Sequence, residues 1–298
     1  MSVLVGLIVM LGMFVIVPAG LGLIDGPRPR GLLALRRAWP LLALPGAVAL
    51  WLPRSPAAAA LAAVYALATL ALAICAPVRL AALLRPPSIG GAPPGALRPL
   101  APSEVAVFTA LVTPSVAGLA LVAERAGHEL LGFDLGILAL TVPHFHFAGF
   151  AAALVAGLVC RTSDGPATRF AALSVPLGTL LVLAGYFVDD WAELAGAVVL
   201  TAGMWAVALT TWRDLRTGAP DRVTRGLLAV SAVVLVATML LALSWALGEA
   251  TGLPHPDLTW MAATHGLGNA LGFALCSLLA WRRLRATAPS KETAPWPV

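Results

Sequence analysis

The chain has 298 residues, of which 60% are hydrophobic and 11% are charged, and its mean hydropathy is +0.91. A soluble domain carries about a quarter charged residues. The composition therefore excludes a water-soluble globular protein and predicts one whose surface faces lipid. The net charge is +5, but basic residues in membrane proteins mark cytoplasmic loops. The positive charge therefore does not predict nucleic-acid binding.

Apolar runs recur along the whole chain, and most are about 20 residues long, enough to cross a hydrocarbon core of about 30 Å. They predict an all-α fold, a polytopic bundle of about nine transmembrane helices. The second run is short and contains Pro40 and Pro45. It predicts either a full crossing or a re-entrant segment, which would leave eight spans. The predicted spans lie near residues 2–24, 38–52, 57–78, 104–123, 136–160, 169–188, 192–212, 226–248 and 259–281.

The basic side chains predict the orientation of these helices. With nine spans, every one of the 19 basic residues except Arg54 and Arg125 falls on the same side of the membrane. The positive-inside rule then predicts an N-terminus on the outer side and a cytoplasmic C-terminus. Most acidic residues fall on the outer connections, so the outer mouth is predicted to be acidic. The expected location is the bacterial cell membrane.

Composition along the chain predicts four parts. They are an N-terminal three-helix membrane part (1–85), a cytoplasmic loop rich in Pro and Gly (86–103), a C-terminal six-helix membrane part that holds every histidine (104–285), and a disordered cytoplasmic tail (286–298). The three cysteines lie in or beside apolar runs without CxxC spacing, so neither a disulfide framework nor a zinc site is expected.

Ionisable groups inside a membrane are costly, so each one is a candidate for function. The fifth span carries His144 and His146 in VPHFHFAGF, and the ninth carries His265 and Asn269 in THGLGNALGF. Both helices run inward from the outer side, so the three imidazoles are predicted at similar depth. Residues two apart point about 200° from each other on a helix. His144 and His146 could share one ligand only if the backbone were distorted, for which Pro143 is a candidate.

The candidate catalytic groups are His144, His146, His265 and Asn269. The alternative is that they serve as interhelical hydrogen-bonding groups. The candidate substrate-binding residues are aromatic neighbours and acidic residues at the outer mouth, where a solvated loop is the alternative interpretation. They are Phe145, Phe147, Trp260, Asp189 and Asp190. No metal ligand is assigned.

The combination of VPHFHFAGF in the fifth span with THGLGNALGF in the ninth resembles the YndJ-like family of bacterial membrane proteins, over roughly residues 100–285. Such proteins are often labelled transporters, and the resemblance implies that these two motifs form the site. The segment HFHFAGFAAALVAG is also similar to the HxH helices of haem–copper oxidase-like membrane proteins of the nitric oxide response. There the histidines would bind haem or copper.

Three functions fit this sequence. An enzyme would use the histidines as acid and base on a lipophilic small molecule, without a cofactor. The lack of a DxxD-type diphosphate motif and of a nucleophile elbow argues against prenyl transfer and serine hydrolysis, and leaves isomerisation, ring opening or cyclisation. A proton-coupled transporter would use the same groups as a relay, and a haem or metal protein would use them as ligands. The expected partners are the lipophilic molecule and the bilayer; oligomeric state stays open.

Overall fold

A computed structural model describes residues 2–24, 30–84, 100–163 and 165–287. These residues contain nine helices that are long and apolar enough to cross a membrane. The prediction of an all-helical bundle with about nine apolar helices is confirmed. The helices are α1 (Val3–Leu21), α2 (Gly31–Trp51), α3 (Pro56–Leu84), α4 (Pro102–Ala126), α5 (Leu135–Thr162), α6 (Pro166–Gly185), α7 (Asp190–Leu215), α8 (Arg222–Thr251) and α9 (Leu258–Thr287).

Helix α2 is longer than the span predicted over 38–52. It extends towards the N-terminus through Arg36 and Arg37, and it contains Pro40 and Pro45 without a break. The two arginines made the first turns resemble a loop. A long basic side chain at a helix end can nevertheless extend beyond the apolar core. With 21 residues, α2 is long enough to cross a bilayer.

The helices alternate in direction, so their ends lie at two sides of the bundle. We call the side where α2, α4, α6 and α8 end the acidic end, and the side where the odd-numbered helices end the basic end. At the basic end, Glu104 of α4 accepts hydrogen bonds from Arg79 of α3 (2.8 Å) and Arg161 of α5 (2.6 Å). Arg285 of α9 donates to the Gly22 carbonyl (3.0 Å) and so joins the last helix to the first.

The two basic residues that depart from the charge pattern have structural partners at the acidic end. Arg54 forms an ion pair of 2.9 Å with Glu124. Arg125 also pairs with Glu124 and donates to carbonyls at the C-terminal end of α2, including Leu52 (3.1 Å). Because the last carbonyls of a helix lack intrahelical partners, Arg125 caps α2. These two arginines therefore fasten α2 and α3 to α4.

Helices α6 and α7 pack with almost no space between their backbones. A Cβ atom on Gly178 would lie 2.5 Å from the backbone of Leu200, and one on Gly196 would lie 2.5 Å from the Val182 nitrogen. Such a close approach requires glycine. The pairing brings the end of α6 against the start of α7 at the acidic end.

Helix α5 is the most buried of the nine. It begins as an α-helix, changes to a π-helical segment over Phe145–Ala151, and returns to an α-helix over Ala152–Thr162. Most of the predicted loop 86–103 and of the predicted tail 286–298 lies outside the described residues. The division into four parts therefore stays a prediction.

Candidate functional site

The two histidines of α5 face different surroundings. His146 is fully buried, and its Nδ1–H donates to the Val142 carbonyl at 2.7 Å. Since a carbonyl only accepts, the proton lies on Nδ1, and Nε2 accepts from the Tyr65 hydroxyl of α3 at 2.5 Å. Both ring nitrogens of His146 are therefore occupied by the protein itself.

Tyr65 belongs to a packed cluster that reaches four helices. Its ring lies 6.0 Å from that of Trp39 in α2, edge to face. The Trp39 indole donates to the Met13 carbonyl of α1 at 2.8 Å, within the π-helical turn Gly12–Ile16. A Cβ atom on Gly12 would lie 2.9 Å from the His146 Cβ, so α1 and α5 touch at this glycine. His146 is thus part of the joint that holds α1, α2 and α3 to α5.

His265 is held by α8 and by a residue of its own helix, α9. Its Nδ1–H donates to the Thr238 carbonyl of α8 at 2.8 Å, and its Nε2 lies 3.2 Å from the amide nitrogen of Asn269. The Asn269 carbonyl oxygen accepts from the Thr238 hydroxyl at 2.9 Å. The predicted sharing of one helix face by His265 and Asn269 is therefore present, although π-helical segments flank Leu267 on both sides. The imidazole orientation is fixed by α8.

His144 differs from the other two histidines. Protein atoms surround it, yet its side chain keeps accessible surface. Among the described residues, none hydrogen-bonds to its ring. Its imidazole lies close enough to that of His265 for their charges to interact, as the matching depth and direction of α5 and α9 predict. His144 is the imidazole that a bound molecule could reach.

The remaining predicted site residues lie in several places. Phe145 and Phe147 are buried in the core, whereas Trp260 is half exposed near the start of α9. Asp189 caps α7 by accepting from the Ala192 N–H at 2.8 Å. Asp189 and Asp190 both line a cavity at the acidic end. The structure brings His144, His265 and Asn269 together, whereas Phe145 and Phe147 are packed in the core.

The cavity at the acidic end, which we call the vestibule, has a volume of about 360 Å³. Carboxylates and aromatic rings form most of its wall: Asp189, Asp190, Glu193, Glu249, Phe133, Tyr186 and Trp245. Ile137 also lines it, and His144 lies seven residues further along the same unbroken α-helical stretch, Leu135–His144. Seven residues are about two turns, so His144 lies on the same face of α5 about 10 Å deeper.

The sequence interpretation missed Tyr65, Trp245 and Tyr186. A signal existed for the tyrosines, because the chain has only two and Tyr65 falls in the middle of an alanine-rich apolar run. Trp245 has no such signal, since tryptophans near span ends fit the aromatic belt of any membrane protein. Within the described residues, no three His, Cys, Asp or Glu side chains converge as a set that could hold a metal ion.

Comparison with known proteins gives one family and two curated relatives. The family described as YndJ-like protein matches residues 7–273. A protoheme IX farnesyltransferase from Acidovorax sp. (strain JS42) is 34% identical over 131 residues, which cover 40% of this chain and 42% of that protein. The protoheme IX farnesyltransferase of Acidovorax ebreus (strain TPSY) gives the same values. The chain thus matches less than half the length of these relatives. No solved structure matches it.

Proposed function

The chain belongs to the YndJ-like family, and we propose that it is a membrane enzyme that moves protons on a lipophilic substrate, with His144 as the catalytic residue. The observation that carries this proposal is the contrast between the histidines. In His146 and in His265, both ring nitrogens are hydrogen-bonded to other protein groups. The His144 side chain, in contrast, is accessible and lies beside His265. Imidazole titrates near neutral pH, which suits a general acid or base.

An isomerisation or cyclisation is the reaction class that requires the fewest catalytic groups, because it needs only proton transfer. His144 would take a proton from one atom of the substrate and return it to another, so no cofactor has to supply electrons. His265 would be a neighbouring imidazole that forms one wall of the reaction site, with its two ring nitrogens held by the Thr238 carbonyl and the Asn269 amide. The apolar interior would exclude bulk water from the reacting molecule. The name of the two relatives specifies transfer of a farnesyl group, and this supports a lipophilic substrate here.

We further propose that the acidic end faces the outside of the bacterial cell, with the N-terminus outside and the C-terminus in the cytoplasm. The distribution of basic residues supports this orientation. Substrate would then enter the space beside His144 from the outer side or from the outer leaflet.

The test compares lipid extracts from cells that produce the wild type or the His144→Gln variant, by liquid chromatography and mass spectrometry. Isomerisation or cyclisation should create a pair of compounds of equal mass and different retention. General acid–base catalysis contributes about 10²–10⁴-fold, so the product should be lost in His144→Gln. His128→Gln is the matched control, because His128 lies in an exposed loop and should not change the product. An unchanged product profile in His144→Gln would overturn the proposal.

A proton-coupled permease is the second candidate, because the acidic vestibule stands above His144 on the same face of α5. Carboxylates followed by an imidazole could relay protons into the bundle. Reconstituted vesicles separate the two functions. A permease would move a solute across the membrane chemically unchanged, with a pH gradient as the driving force, whereas the enzyme would change the compound without needing a gradient.

A further inference from the structure

The vestibule carries negative charge that the described residues do not balance. The carboxyl group of Glu193 lies close enough to those of Asp190 and Glu249 for their charges to interact, and no lysine or arginine among the described residues lines the wall. Glu249 lies 3.0 Å from His255 Nε2, which balances its charge only when that imidazole is protonated. The two arginines at this end, Arg54 and Arg125, are already paired with Glu124.

Glu193 is the most informative of these carboxylates. It is only 8% exposed, and the Tyr186 hydroxyl lies close enough to its carboxylate for a hydrogen bond. Burial and the nearby Glu193 carboxylate raise the pKa of Tyr186, so its hydroxyl keeps its proton and can donate a hydrogen bond to Glu193. A carboxylate can accept about four hydrogen bonds. Glu193 is therefore a buried carboxyl group in the wall of a cavity, and among the described residues no lysine or arginine lines that wall.

Aromatic rings form the other walls of the same space. The rings of Phe133 and Tyr186 lie 5.9 Å apart at an angle of 87°, so they present two perpendicular surfaces. Trp245 of α8 also lines the cavity. The faces of aromatic rings attract cations, and tryptophan does so most strongly. One space is thus surrounded by three aromatic rings, which lie before α5, after α6 and in α8, and by carboxylates of α7 and α8.

The size of the space and the spread of its ligands favour an organic cation over a metal ion. A metal ion needs several ligand atoms close together, and no three such side chains converge here among the described residues. A cavity of about 360 Å³ is within the usual range for small-molecule sites. An alkylated ammonium group has its charge spread over a large apolar surface, which suits rings and carboxylates that do not touch one another.

We propose that the vestibule binds an organic ammonium group, held by Glu193, Asp190 and Glu249 and enclosed by Phe133, Tyr186 and Trp245. Resting on the proposed function, this site also defines a substrate class: an amphiphile whose cationic head occupies the vestibule while its apolar body reaches towards His144. Two helices support that path. Ile137 and His144 are seven residues apart on α5, and Trp245 and Thr238 are seven residues apart on α8.

The first experiment measures binding of choline to the purified full-length protein in nanodiscs by calorimetry. The neutral isostere 3,3-dimethylbutan-1-ol and the inorganic ions Na⁺ and Ca²⁺ are titrated separately. We expect choline to bind and each of the other three to bind at least about tenfold more weakly. Equal binding of the neutral isostere, equal binding of either inorganic ion, or no binding of choline would overturn the site.

Matched variants locate the binding. Trp245→Leu and Glu249→Gln should each weaken choline binding by about tenfold. The controls are Trp191→Leu and Glu129→Gln, which change exposed residues of the same types at the same end that do not line the vestibule. Glu193→Gln is a third variant. If the buried Glu193 proves necessary for folding, Glu249→Gln still tests the site, because the Glu249 side chain is 37% exposed. Equal affinity in the wild type, Trp245→Leu and Glu249→Gln would place choline elsewhere and refute the proposal.

A series from tetramethylammonium to butyltrimethylammonium distinguishes a free cation from the head of an amphiphile. Each buried methylene contributes about 0.8 kcal/mol, or about fourfold in affinity, so affinity should rise with chain length. A flat series would remove the amphiphile and leave a site for small cations. His144→Gln should bind choline as the wild type does. The cation site can thus stand if His144 proves not to be catalytic, and the reverse also holds.

Discussion

Tyr65→Phe removes one hydroxyl from the interior of the bundle and tests whether His146 has a packing role. The change keeps the ring, so the edge-to-face contact with Trp39 at 6.0 Å should remain. What is lost is the donor to His146 Nε2 at 2.5 Å. Both residues are fully buried, so water cannot easily replace the hydroxyl.

The expected size of the effect follows from that burial. Leaving a buried acceptor unsatisfied costs about 1–3 kcal/mol, and hydrogen bonds between membrane helices average about 0.6 kcal/mol and reach about 1.7 kcal/mol. A loss of about 1–2 kcal/mol is therefore expected. For a chain of this size it corresponds to a fall of about 2–6 °C in the unfolding midpoint. Product formation per folded molecule should persist, because Tyr65 contacts His146 and not His144.

The three cysteines of the chain supply the assay. Cys75 is buried in α3, the helix that carries Tyr65, and Cys160 and Cys276 are partly buried. A dye that fluoresces on reaction with thiols will therefore report unfolding during heating. Thr217→Val is the control, because the Thr217 hydroxyl is exposed in the connection after α7 and water can reach the Arg213 and Asp214 carbonyls that it leaves. If Tyr65→Phe kept the wild-type midpoint and abolished product formation, the packing role of His146 would be refuted.

Three other predictions use the same protein. Gly12→Ala should lower the unfolding midpoint, because a methyl group there would press against His146. Such overpacking costs about 1–3 kcal/mol, more than the roughly 1 kcal/mol gained in helix propensity. Gly31→Ala is the control and should leave the midpoint unchanged, because the space around Gly31 is open. The Thr224 hydroxyl and other donors lower the Asp221 pKa from its ordinary 3.8 to about 2. The stabilisation from this carboxylate is thus present above about pH 4 and is lost as the pH falls towards about 2. In Asp221→Asn, the unfolding midpoint should therefore fall less between about pH 4 and about pH 2 than it does in the wild type. In a cysteine-free background, Leu131→Cys should react with an impermeant thiol reagent in intact cells and Thr217→Cys only after permeabilisation.

The fold could be predicted from hydropathy because each crossing needs its own apolar run. Charged side chains account for the places where the structure differs from the pattern of apolar runs and basic loops. Arg36 and Arg37 lie inside α2, although charge near an apolar run predicts a loop. Arg54 and Arg125 departed from the charge pattern for a reason that only the structure supplies, because both pair with Glu124.

The site could be predicted only in part. Depth follows from counting residues, so the approach of His144 to His265 was foreseeable from the two helices that carry them. The direction in which a side chain faces does not follow, because an apolar run looks alike on all sides. His146 receives its hydrogen bond from Tyr65, 81 residues away in sequence. The vestibule likewise depends on Trp245 and Tyr186, whose positions at helix ends suggest only a membrane interface.

The two histidines of α5 can be assigned to separate roles by asking which effects add. Tyr65→Phe and His146→Phe remove the same hydrogen bond, so their combined loss of stability should be smaller than the sum of the single losses. Tyr65→Phe and His144→Gln act on different quantities, the first on the unfolding midpoint and the second on turnover. His146 contacts Gly12 of α1 and Tyr65 of α3 at the start of the π-helical segment Phe145–Ala151. It thereby holds the backbone beside His144, so His146 can set the position of the proposed catalytic histidine without taking part in the proposed reaction.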